Sequence, residues 1–107
     1  MAKEIMLIQS VASLGQTIAS TISAVRSCKG ISKQDAVIFE EQLKFIKARI
    51  KAKGIEELCS VTLEQLQKTY NNIVQHKYSG EMLRIATEML NFQHQALQNI
   101  IASYVRS

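Results

Sequence analysis

From Ile5 to Val25 the chain runs for twenty-one residues without a charged side chain, yet its apolar positions keep the period of a helix. Leu7, Val11, Leu14, Ile18, Ile22 and Val25 recur at threes and fours, so at 3.6 residues per turn they form one stripe. The opposite side holds Gln9, Ser10, Ser13, Gln16, Thr17, Ser20, Ala24 and Ser27, small or neutral residues where a solvated helix back ordinarily carries Lys and Glu. A helix of this kind suits contact on more than one side. It predicts either a bundle with a central first helix or a first helix that meets a partner. Crossing a bilayer would desolvate the hydroxyl and amide side chains of the whole polar face, which argues against a transmembrane span. Lying in a membrane surface calls for Lys and Arg on that face, and there are none. Met1 to Glu4 offers one Lys offset by Glu4, and the run that follows is diluted by Ser, Thr and Gln, so no secretory signal is expected.

With 107 residues the chain is read as one domain, 1–107, large enough for a single core and nearly exhausted by four helices. Proline is absent and aromatic residues are only 6%, which favours long unbroken helices over sheets. The net charge of +4 permits an acidic partner without requiring one.

Breaks between helices are marked by a repeated stop signal. Lys29-Gly30-Ile31 and Lys53-Gly54-Ile55 each place a cation in the last turn, glycine at the left-handed position after it, and a hydrophobic residue behind to close a Schellman motif. Ser79-Gly80 supplies the third break, with Ser79 as the cap of the helix beyond. Ser32 begins a variant capping box, Ser-Lys-Gln-Asp. Thr62 and Gln65 form another, so the third helix is expected to open with a short turn at Glu56 to Cys59 and restart near Leu63, since Leu58 and Val61 lie off the stripe that follows. The expected fold is all-α: an antiparallel up-down-up-down four-helix bundle with helices at about 3–28, 33–53, 56–78 and 81–105.

Each later helix also has a core stripe. Ala36, Phe39, Leu43, Ile46 and Ile50 supply the second, and Ile55, Cys59, Leu66, Tyr70 and Ile73 the third. The fourth offers Met82, Ala86, Met89, Leu90, Leu97, Ile100, Ile101 and Tyr104, with Gln93 in the middle of its stripe, either a buried amide in need of a partner or one at a frayed edge.

Apolar residues left over once these stripes are assigned are the sharper clue to function. Ile38 and Phe45 stand seven apart on the second helix, pointing about 120° away from Leu43 and Ile46. Ile85 and Phe92 repeat the same spacing on the fourth. They are read as candidate partner-binding residues, with phenylalanine as the anchor. The plainer alternative is a slightly rotated helix that buries them in the same core. Lys44, Lys47 and Lys51 share one face of a basic run, Lys44 to Lys53, which has no acid between Glu41 and Glu56. That face is read as steering an acidic partner, or alternatively as following a phosphate backbone. Against the second reading, cations in the last half of a helix are favoured by its dipole, and no helix-turn-helix signature, zinc spacing or aromatic ladder accompanies them.

Metal and catalytic sites are hard to build. Pairing about the Ser79-Gly80 turn sets His76 against about Leu83 and His94 against about Gln65, too far apart to share an ion, and Asn91 stands where a Glu-x-x-His motif would need its carboxylate. Cys28 and Cys59 lack CxxC spacing and fall at opposite ends of the expected bundle, so both are read as free thiols in a reducing compartment. No nucleophile stands beside a base and an orienting carboxylate, and Arg26, Arg49, Arg84 and Arg106 fall near helix ends or on polar faces. The sequence therefore points to a non-catalytic binding protein of the bacterial cytoplasm, without cofactor or small-molecule substrate, that meets one protein partner or its own copy. Immunity proteins, secretion chaperones and adaptors are of this kind; the basic charge counts against an immunity protein to a nuclease.

Overall fold

The computed structural model of the chain describes residues 2–27, 33–76 and 78–106, with side chains from Ile5 onward. It contains four helices: α1, Ala2–Arg26; α2, Lys33–Lys53; α3, Glu56–Gln75; and α4, Gly80–Arg106. The first stop signal, Lys29-Gly30-Ile31, together with Cys28 and the Ser32 cap, lies outside the described residues.

The second stop signal forms in full. Gly54 takes φ +71°, a conformation open to glycine, and its N–H donates to the carbonyl of Lys51 at 3.1 Å while the N–H of Ile55 donates to that of Ile50 at 3.2 Å. Ile50 and Ile55 are both buried, so this turn is fastened to the core. Beyond it α3 runs without interruption: the expected restart at Leu63 does not occur, because Leu63 continues the buried stripe of Cys59 while Leu58 and Val61 turn outward. The helix also ends at Gln75, short of the expected 78. His76 is extended, with ψ 132°, and Tyr78 is half-buried against the core in the connection to α4.

Every helix lies beside two others, α1 against α2 and α4, and α3 against α2 and α4, with no close backbone approach across either diagonal among the described residues. Thr17 meets Gln42, Phe39 meets Tyr70, and Thr69 meets Met89, each pair nearly equidistant along the chain from the connection it spans. This spacing fits helices turned back on one another at short connections.

The expected stripes of α1 to α3 are buried, with Ala36 and Val25 at the edge. In α4 the buried stripe is Leu90, Leu97 and Ile101 with Thr87, while Met82 and Met89, expected inside, are exposed. At 100° per residue both methionines sit about 80–100° from Leu90, and the helix is rotated so that this arc leaves the core. Tyr70 ties three helices together. Its ring stacks on Phe39 of α2, centroids 3.6 Å apart and 3° from parallel, and its hydroxyl lies 3.1 Å from Thr21 of α1. Since Thr21 Oγ1 gives its one proton to the Thr17 carbonyl at 3.0 Å, the Tyr70 hydroxyl is the donor to Thr21. Thr17 in turn donates to Gln42 Oε1 at 2.7 Å, joining α1 to α2.

Candidate interaction surface

All four expected partner-binding residues stand on the surface. Ile38 is 45% exposed, Phe45 48%, Ile85 44% and Phe92 73%, so a rotation that buries them in the core does not occur. Phe45 is overlain by the guanidinium of Arg49, one turn on, at 4.5 Å from the ring centroid, an arrangement that holds the ring. Ile38 and Phe45 share the back of α2. Ile85 and Phe92 share a flank of α4 with Met82 and Met89, and Thr69 Oγ1 approaches the Met89 sulfur at 3.8 Å, which fixes that flank as the one facing α3. Leu58 and Val61 of α3 are exposed as well. Both lie off the α3 stripe, a signal the sequence carries, although the capping box at Thr62 makes a break in the helix an equally good account of it.

Lys44, Lys47 and Lys51 are exposed on α2, but their setting is not purely basic. A groove of about 440 Å³ separates this part of α2 from α3. Ile50 and Leu63 lie at its base, Lys47 and Lys51 line one side, and Glu56 and Glu64 the other. Lys47 also donates to Gln67 Oε1 at 2.8 Å. Charges of both signs thus line one groove.

Long stretches of the other two helices are without charge. Neighbouring helices α1 and α4 carry no Lys, Arg, Asp or Glu from Ile5 to Val25 or from Met89 to Val105. Ile5–Arg26 is long and apolar enough, by length and composition, to cross a membrane, but its apolar stripe is packed against the other helices. His94 is half-buried and turned toward α1, not toward Gln65 of α3: its Nε2 lies 2.8 Å from the Val11 carbonyl. Pairing about the turn relates α4 to α3 alone, whereas α4 also lies beside α1. Gly15 makes this approach possible, because a Cβ there would fall 2.5 Å from His94 Cε1. His76 is exposed, 5.6 Å from the Tyr78 ring.

Among the described residues no three His, Cys, Asp or Glu side chains come together to hold a metal ion. Cys59 is buried in the core, and that burial raises its thiol pKa, which makes it less reactive. Burial likewise raises the Tyr70 hydroxyl above its ordinary value; the Thr21 hydroxyl, which can turn to donate to the ionised oxygen, opposes this, and Asp35 and Glu40 add to it. Gln93 Oε1 and Arg49 Nε are buried without a protein hydrogen-bond partner. The surface is therefore that of an all-α bundle whose distinguishing chemistry is exposed large apolar side chains. Compared with models of known protein families, with characterised proteins and with solved structures, the chain matches none.

Proposed function

We propose that this chain is a non-catalytic protein-interaction module, binding one protein partner or a second copy of itself through Ile38, Phe45, Ile85 and Phe92. One observation carries the reading: these four large apolar residues are exposed although other residues already close the core. Exposed apolar clusters on a folded domain are most simply accounted for by a surface that covers them. Lys44, Lys47 and Lys51 steer an acidic partner toward α2. The nucleic-acid alternative is weaker, because a phosphate backbone laid along Lys47 and Lys51 would meet Glu56 and Glu64 across the same groove. The reading carries with it a role in the cytoplasm as an immunity, chaperone or adaptor type of protein.

The test is substitution by aspartate, one position at a time, at Ile38, Phe45, Ile85 and Phe92. Helix content by circular dichroism should be kept, since exposed positions away from special features change stability by only about 0.5 kcal/mol. A partner captured by the wild-type chain should be lost with Phe45→Asp or Phe92→Asp, as truncating an anchor costs about 2 kcal/mol or more. Equal capture by every variant, or unfolding of the variants, would overturn the reading.

A further inference from the structure

Met82, Ile85, Met89 and Phe92 follow one another at intervals of three, four and three, the spacing of a packing seam in paired helices. They occupy an arc of about 80° on α4, centred about 120° from the direction of Leu90, so α4 has a second seam beside the one that faces the core. On the adjoining flank of α3, Leu58 and Val61 lie on the same side as Thr69, which touches Met89. The six side chains are between 44% and 73% exposed. At about 180 Å² for a wholly exposed large apolar side chain, they present roughly 600 Å² of apolar surface. That lies at the top of the range for the largest patch on a typical monomer and approaches the roughly 800 Å² that each partner contributes to a standard stable interface.

We propose that a second copy of this chain covers the α3–α4 face, with the two α4 helices antiparallel about a two-fold axis near residue 87. The proposal rests on the reading of Ile85 and Phe92 as interface residues and names their occupant. Its argument is the symmetry of the seam: the three-four-three spacing is the same read in either direction. Antiparallel pairing therefore sets Met82 against Phe92 of the second copy and Ile85 against its Met89, large side chain against large side chain at every level. A closed interface of this kind needs a patch that complements itself, and this one does. Methionines suit it because their unbranched chains adapt to the facing ring. Glu88, one residue from the axis, is held by Arg84 at 2.9 Å, and Arg84 also binds Glu81, so the copies do not bring bare carboxylates together.

Light scattering on the full chain from about 1 µM to about 1 mM tests this. A dimer is expected, with M82K and F92E each weakening it at least tenfold while helix content is kept, and F45D leaving it intact. The double variant M82K/F92E should recover the dimer, because the antiparallel pairing places each new lysine against a new glutamate. A monomer across the whole range, dissociation by F45D but not F92E, or no recovery in the double variant would overturn the proposal. In those cases loss of a captured partner by F92E would leave the interaction reading standing. Unfolding of M82K and F92E themselves would remove both.

Discussion

Replacing Gly15 by alanine should destabilise this protein, although glycine inside a helix is ordinarily a liability. By backbone entropy alone the change is worth about 0.5–1 kcal/mol in favour of the folded state. Against it stands the imidazole of His94, whose Cε1 and Nε2 would lie 2.5 and 2.9 Å from the new Cβ. The ring must move, which breaks its contact with the Val11 carbonyl at 2.8 Å. That carbonyl keeps Gly15 N–H as its partner within the helix, so the lost bond is worth about 1 kcal/mol. Crowding between two packed helices adds about 1–3 kcal/mol. The balance is a loss of about 1–3.5 kcal/mol, or a fall in Tm of roughly 5–20 °C for a domain of this size. In a His94→Ala background the obstacle is gone and the same substitution should stabilise by about 0.5–1 kcal/mol. Urea denaturation of the wild type, both single variants and the double variant, followed at 222 nm, yields the coupling directly. A value of about 2–4 kcal/mol is expected, well above the few tenths within which independent sites add. Stabilisation by Gly15→Ala in the wild type, or the same effect in both backgrounds, would refute the argument.

Tyr70→Phe keeps the stack on Phe39 and removes only the hydroxyl that donates to Thr21; it should lower the unfolding free energy by about 1–1.5 kcal/mol in the same urea assay, and by much less when Thr21 is valine. Gly54→Ala meets no atom within 4 Å but must hold φ +71°, so a loss of about 1 kcal/mol from backbone strain alone is expected by thermal denaturation. Stability should fall on the alkaline side. The unfolded chain releases the Cys59 and Tyr70 protons near their ordinary values of 9.0 and 10.0, while the folded protein, with both pKa values raised, retains them. The contribution is thus full below pH 9 and is lost as pH rises through the folded values, which urea titrations between about pH 7 and pH 11 will show. A Cys59→Ala, Tyr70→Phe variant should lose most of this slope.

The parts of the fold that local chemistry controls were readable in advance. The glycine stop before Ile55 forms as its residues require, and the apolar stripes of α1 and α2 point inward as spaced. What sequence could not fix was helix rotation: Met82 and Met89 stand on the border of the α4 core arc, where a small turn decides between inside and outside. Ile38 and Phe45 were legible because they stand about 120° from the α2 stripe, whereas Ile85 and Phe92 stand only about 40–80° beyond Met82 and Met89 on the flank of the expected α4 stripe. Leu58 and Val61 carried the same message, obscured by a plausible cap at Thr62. The approach of His94 to Gly15 joins positions at opposite ends of the chain, and nothing in local periodicity announces it.

The adjacency of α1 and α4 has a consequence during synthesis. His94 meets Val11 across 83 residues of chain, so the wall that α4 supplies for α1 is made well after α1 itself. At about 5–20 residues per second, the apolar stripe of α1 waits roughly 4–17 s after its own translation before that neighbour exists. Through this interval the charge-free stretch 5–25 lacks one of the two helices it packs against. The apolar residues that α4 covers in the finished protein are therefore left open on one side in the unfinished one.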